Sequence, residues 1–263
     1  MWHLLGMGIF DSTPDHGPSR DKVILDAVRV GNIEIKWGTV FSTDGTNTAA
    51  FEVFADSLKI DGIRVNVSAQ VEQQIADLLG FSLLTPKLAD LMWVQRAVTL
   101  KPHTRPITSA TSAMIDHSSL IDADLAHLGY TDGIVATVGK HWVLDNDLLT
   151  HAGRAENYGW HFEGSAFGGI NGEVTASQVK DKGGQYVKMI QGRGWAHDPS
   201  HVDYSQICCL VARKCALNGE PSDLWTILQD PNLAHLASHQ GVVKVLRQPG
   251  VAELAPLEDQ PSV

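Results

Sequence analysis

A chain of 263 residues with 43% hydrophobic and 19% charged positions has the composition of a globular protein and can bury a core without disulfide staples or a structural metal. Its formal charge of −10 and the lack of any Lys/Arg run set aside non-specific nucleic-acid binding, which needs a basic face. There is no uncharged apolar run of about 18 residues, so no membrane-spanning helix and no membrane partner are expected.

The apolar start "MWHLLGMGIF" lacks the basic region of a secretory signal, which predicts a protein cytoplasmic as synthesised. "STPDHGPSRD" (12–21) is turn-rich, and "RDKVILDAVRVGN" follows with helical spacing and a Gly-Asn stop. "IEIKWGTVFST" and "FEVFADSLKI" alternate apolar and polar residues around "DGTNTAA", which predicts a hairpin, with "IDGIRVNVS" as a third strand. "SAQVEQQIADLLG" reads as a helix capped by Ser68 and ended by Gly80. "TPKLADLMWVQRA" reads as another, with Thr85 as N-cap and Pro86 in the first turn. "AMIDHSSLIDADLAHLG" predicts a further helix closed by Gly129. His117 in that helix reads as a cap or a solvent-facing side chain.

Strands dominate the second half: "GIVATVGKHWVL", "NYGWHFEG" and "QYVKMIQG", with the Gly-rich "SAFGGINGEVTASQVKDKGG" between the last two as a loop. "YSQICCLVARKCAL" reads as a core strand, and "PSDLWTILQD" and "PNLAHLASH" as short capped helices. The pattern predicts an α+β fold with a mixed or antiparallel sheet and flanking helices. A small N-terminal β lobe with its leading helix would span residues 1–66, and a main α+β domain residues 67–263.

Cys208, Cys209 and Cys215 are odd in number and form no CxxC, so neither a disulfide framework nor a zinc ribbon is expected. G-x-S-x-G, H-E-x-x-H, P-loop and dinucleotide motifs are all missing. What remains is a set of polar residues in apolar settings. In a regular strand, Tyr158 and Trp160 would share one face, with Gly159 and His161 on the other. His161 is then either a hydrogen-bonded core histidine or a group that Gly159 leaves open to approach. "HDPSHVDYSQ" supplies His197, Asp203, Tyr204 and Ser205: either turn residues satisfying backbone donors, or an Asp-oriented histidine activating a hydroxyl. Lys140 belongs to a strand edge, with its ammonium in water, or to a pocket. His161, His197, His201 and Asp203 are suitable ligand types, but no i,i+4 histidine pair on a helix supports a metal, and no cofactor is expected.

Residues 60–241 resemble a family of uncharacterised bacterial and phage-associated proteins. The similarity is carried by "LLTPKLADLMW" (83–93), "IVATVGKHWVL" (134–144), "YGWH" (158–161), "IQGRGWAHDPSHVDYSQ" (190–206) and "NGEPSDLWTILQDPNLAHLASHQG" (218–241). It places Lys87, Asp90, Trp93, Lys140, Tyr158, Trp160, His161, Gln191, His197, Asp203, Tyr204 and Ser205 on family positions. Gln206 stands where the family has histidine, Cys209 where it has a basic residue, and Thr137-Val138 where it has Gly-His. "SQIC" is also similar to the Ser-His-Gly-Cys core of L,D-transpeptidases, which would make Cys208 a nucleophile and His197 its base, although the Gly and Arg of that core are missing.

The resemblance implies a hydrolase of cell-wall peptidoglycan or a related polysaccharide, phage-derived and acting at the cell wall or in a virion. His161, His197, Asp203 and Ser205 would form its polar centre and Lys140 an electrostatic partner. Tyr158, Trp160, Gln191, Trp195 and Tyr204 would contact a polymer or glycan, with the tryptophans stacking on sugar faces. The competing expectation is a non-catalytic structural or interaction protein, such as a virion component, on the same fold. Oligomeric state is not legible.

Overall fold

The computed structural model describes residues 8–163, 175–180 and 186–258. The fold is α+β, with antiparallel sheets and packed helices. It opens with α1 (Pro18–Arg29) and the hairpin β1 (Trp37–Thr43) and β2 (Thr48–Phe54). Asp44 closes that hairpin by accepting from the Thr46 and Asn47 amides at 2.7 and 2.6 Å. The two-residue strands β3 (Lys59–Ile60) and β4 (Ile63–Arg64) follow, so the expected third strand is a short hairpin of its own.

Next come α2 (Ala69–Leu79), β5 (Phe81–Leu83), α3 (Pro86–Val94), β6 (Val98–Thr99) and α4 (Thr111–His127). The Ser68 hydroxyl caps α2 by accepting from Val71 N, and Thr85 caps α3 by accepting from Leu88 N, as the sequence predicts. "GIVATVGKHWVL" divides into β7 (Val135–Ala136) and β8 (Lys140–Val143), broken where Thr137 takes a φ of 74°. The chain continues through β9 (Ala155–Phe162), β10 (Thr175–Lys180), β11 (Tyr186–His197), β12 (Leu210–Leu217), β13 (Glu220–Asp223) and α5 (Leu224–Gln229). β10 is a correction: part of the segment expected to be loop pairs with β11, and the rest of it lies outside the described residues.

One sheet runs β1-β2-β12-β13, with β5 also on β12; a second runs β10-β11-β9-β8. β2 is hydrogen-bonded to β12, so the hairpin expected to belong to a separate lobe over residues 1–66 is built into a sheet completed by residues 210–223. One continuous apolar core extends from Phe10 to Val245. The two sheets are tied together by the segment entering β12. Lys140 N donates to Ser205 O at 2.7 Å, Ile207 N to Lys140 O at 3.1 Å, and Leu58 N to Cys208 O at 2.9 Å. Gly139 permits this approach, because a Cβ there would stand 2.4 Å from Ser205 O. No helix among the described residues is long and apolar enough to cross a membrane.

Candidate functional site

The expected polar centre is divided between the two faces of β8 and β9. The division originates in β9, where Gly159 (φ 100°) and Trp160 (φ 55°) both take positive φ and interrupt the alternation of side chains. Tyr158 and His161 therefore reach the same carboxylate. Trp160 turns away, donates its indole N–H to Thr137 O at 3.1 Å and packs with Ala113 and Tyr204. The expected sharing of faces is thus corrected by the left-handed pair.

The shared carboxylate is Asp90 on α3. Asp90 is fully buried; its Oδ1 accepts from Tyr158 Oη at 2.9 Å and from His161 Nε2 at 2.7 Å, and its Oδ2 accepts from His239 Nε2 at 2.8 Å. The α3 N-terminus secures the segment that carries His239. The Thr85 hydroxyl donates to Ala237 O and the Lys87 ammonium to His235 O, which fixes residues 235–239 beside the helix. Trp93, three residues beyond Asp90 and on the same side of α3, stacks on His161 at 5.7 Å and 21°. Burial lowers the Lys87 ammonium from its ordinary value, and Asp90 partly offsets this.

His161 and Trp93 line a small cavity with room for little more than a water. His141 lines it too. It is almost wholly buried, and its Nδ1 has no hydrogen-bond partner. Burial, with His161 adding, lowers the His141 imidazole to about 3, so it is neutral at ordinary pH. Cys209 also borders the cavity. Its Sγ donates to Phe54 O at 3.5 Å, and burial, with Glu72 and Asp56 adding, pushes the thiol well above its ordinary value. It is no nucleophile.

The other face holds Lys140, Asp203 and Ser205. Lys140 Nζ donates to Asp203 Oδ2 at 2.7 Å; Ser205 Oγ and N donate to Asp203 Oδ1 at 2.6 and 2.8 Å. Lys140 is therefore a buried partner of Asp203 rather than an edge lysine with its ammonium in water. Burial raises the Asp203 carboxyl, but Lys140 and Ser205 outweigh it and leave the group below the ordinary range. His197 and His201 stack at 3.8 Å and 4°, both half-buried. Burial, then His201 and Lys140, lowers His197 to about 4. Among the described residues no hydrogen bond joins either histidine to Asp203 or Ser205. A fully buried serine that donates to a carboxylate, with no imidazole on it, is not an activated nucleophile.

The contact residues expected for a polymer separate as well. Trp160 and Tyr204 are 1% exposed and form core, so neither can stack on a sugar face. Trp195 is half-buried and stacks on His151 at 4.5 Å and 8°; the half-buried Gln191 donates to Gly192 O at 2.8 Å. His117, expected at the surface, is 2% exposed and packs against Tyr204 at 5.4 Å and Trp160 at 6.1 Å. Cys208 is wholly buried, and burial pushes its thiol well up, which removes the transpeptidase-like role. Among the described residues no group of three His, Cys, Asp or Glu side chains is placed to hold a metal ion.

The pairing of Asp90 with His239, and His141 in the cavity, escaped the sequence reading. One signal was present: an aspartate inside the otherwise apolar "LADLMWV" helix. The chain matches no protein-family model, no curated protein and no solved structure.

Proposed function

We propose that the protein is a hydrolase of cell-wall peptidoglycan or a related polysaccharide, with His161 as its proton-transfer group. One observation carries the reading: His161 lines the cavity while its Nε2 is held 2.7 Å from the buried Asp90. Asp90 fixes the tautomer with the proton on Nε2, which leaves Nδ1 as the nitrogen that takes a proton. In the first step His161 accepts a proton from water as the water oxygen bonds to the scissile carbonyl carbon. In the second it returns that proton to the leaving nitrogen or oxygen as the bond breaks. Asp90 stabilises the intervening imidazolium and is not itself protonated.

Amide or ester bonds suit this arrangement better than glycosidic bonds, which are cleaved by a pair of carboxyl groups flanking the linkage. Asp56, the carboxylate that lines the cavity, is tied to Arg64 at 2.6 Å. The substrate class itself rests on the sequence resemblance. A second reading, a non-catalytic structural or interaction protein, is favoured by the closed Lys140–Asp203–Ser205 cluster, which performs no chemistry as it stands.

The test is release of soluble fragments from purified peptidoglycan and a polysaccharide panel, each variant checked for folding. His161→Ala is expected to lose about 100-fold or more, the ordinary contribution of a general base, and Asp90→Asn to lose comparably. Release unchanged in both folded variants removes His161 from the mechanism. No release by folded wild-type protein on any member of the panel favours the second reading.

A further inference from the structure

His239 takes no part in the proton transfer assigned to His161, yet it holds the other oxygen of the same carboxylate. Its Nε2 donates to Asp90 Oδ2 at 2.8 Å, while His161 Nε2 donates to Oδ1 at 2.7 Å. The segment that carries it is tied on both sides. Thr85 and Lys87 hold Ala237 O and His235 O before it; beyond it, Gln240 N donates to Ser238 Oγ at 3.0 Å and Gln240 Oε1 accepts from Asn146 N at 2.8 Å. The His239 side chain is 15% exposed, against 4% for His161 and none for Asp90, so it is the most solvent-accessible of the three.

Charge decides what this arrangement does. Each imidazole presents its Nε2–H to Asp90, so each takes up a further proton on Nδ1. The first imidazolium to form is neutralised by the carboxylate. A second would leave net positive charge among buried groups, where like charges oppose each other strongly. Among the described residues no other carboxylate is hydrogen-bonded to either ring. The neighbouring groups do not relieve this. Lys87 brings an ammonium on α3, Arg96 lies 4.0 Å over the Trp93 ring and pairs with Glu163, His141 is neutral at ordinary pH, and Tyr158 donates its hydroxyl to Oδ1. His235, four residues before His239, is paired with Asp44 instead. Desolvation opposes the buried imidazolium more than the accessible one, so His239 takes the first proton.

We propose that His239 is a positioning residue that governs His161 through Asp90: once protonated, it claims the carboxylate, keeps His161 neutral and removes the counter-ion that a His161 imidazolium needs. The proposal deepens the hydrolase reading by naming the regulation of its base, but proton uptake can be measured without turnover. His239 itself transfers no proton to substrate.

The test is a pH titration of the full-length protein labelled with ¹⁵N at histidine, with the imidazole resonances assigned by through-bond spectra. In wild type, His239 is expected to titrate first and His161 about one pH unit or more below it. His239→Gln keeps an N–H for Asp90 Oδ2 but removes the charge, and the His161 midpoint is expected to rise by about one pH unit or more. His235→Gln, on the same segment but away from Asp90, should leave the His161 curve where it is. A His161 curve unchanged in His239→Gln, or moved equally by His235→Gln, overturns the proposal. The wild-type order needs no variant, so His161 titrating before His239 or together with it overturns the proposal even if His239→Gln fails to fold. Fragment release without the titration shift sinks the coupling alone; the shift without fragment release sinks the hydrolase reading alone.

Discussion

Two buried carboxylates occupy opposite faces of β8 and β9: Asp90 is hydrogen-bonded by Tyr158, His161 and His239, and Asp203 by Lys140 and Ser205. Lys140 and Asp203 are 6% and 2% exposed, so each charge depends on the other. Lys140→Met leaves a buried carboxylate unpaired and is expected to cost about 3–5 kcal/mol in urea unfolding. Adding Asp203→Asn to it should recover part of that loss, because the stranded charge is then gone. A double variant no more stable than Lys140→Met alone would show that the lysine acts through packing instead.

Gly159 presents a different constraint. Its φ of 100° is strained for any residue with a side chain, and a Cβ there would lie 3.0 Å from His141 Cδ2. Gly159→Ala is expected to destabilise the fold by about 1–3 kcal/mol and to displace the His141 ring. Urea midpoints and the His141 imidazole resonances check the two effects separately.

At the scale of elements, α2 and α3 were legible because their signals are local. Ser68 and Thr85 sit where a hydroxyl can satisfy the first orphan amides, and that geometry needs no tertiary partner. The buried acid on α2 was not legible. Glu72 is fully buried, its Oε1 accepts from Cys209 N at 2.8 Å, and its Oε2 has no partner. Burial outweighs that hydrogen bond and raises the carboxyl well above its ordinary value, so the folded state keeps the proton that the unfolded chain releases. Stability from this group is complete below the unfolded value near 4.5 and is lost as pH rises. Glu72→Gln keeps the acceptor and removes the ionisation. It is expected to stabilise the protein at neutral pH, by at most about 1.4 kcal/mol for each pH unit above the unfolded value. Unfolding curves for wild type and variant that run parallel from acid to neutral pH would contradict this.

β9 carries the contrasting lesson. Its apolar and aromatic composition marked it as a strand, but alternation predicted the wrong partners for His161. Two consecutive left-handed residues, one of them a tryptophan, cannot be recognised from a pattern that assumes a regular pleat. Trp160 is held in that conformation by its indole bond to Thr137 and its packing against Tyr204, both of which depend on chain distant in sequence.

Across the whole molecule, buried titratable groups oppose one another. His117 and His141 are each lowered by burial to about 3, and His197 to about 4. These are neutral when folded, so their contribution is lost as pH falls below the unfolded histidine value of about 6.5. Glu156 works the other way. It shares Arg193 with Asp145 and Asp147, three carboxylates around one guanidinium, and burial, with Asp147 adding, raises it to about 8. Its contribution is lost as pH climbs from about 4.5 towards about 8. Stability measured by urea unfolding is therefore expected to peak between these limbs, in mildly acid solution. Glu156→Gln should flatten the alkaline limb and leave the acid limb in place; an unaltered alkaline limb would mean that Arg193 keeps Glu156 ionised throughout.

The sequence alone determined the α+β class, the capped helices α2 and α3, the β1–β2 hairpin and the polar turn that leads into β12. Each of these follows from periodicity, end-capping or turn chemistry acting within about ten residues. The candidate site has no such locality. Asp90 meets His161 across 71 residues and His239 across 149. Only the docking of α3 against β9 and against the 235–239 segment decides that one carboxylate serves both imidazoles. The separation of His161 from Asp203 was likewise a tertiary outcome, because the face on which a side chain emerges depends on every backbone dihedral before it, and two left-handed residues suffice to reverse it.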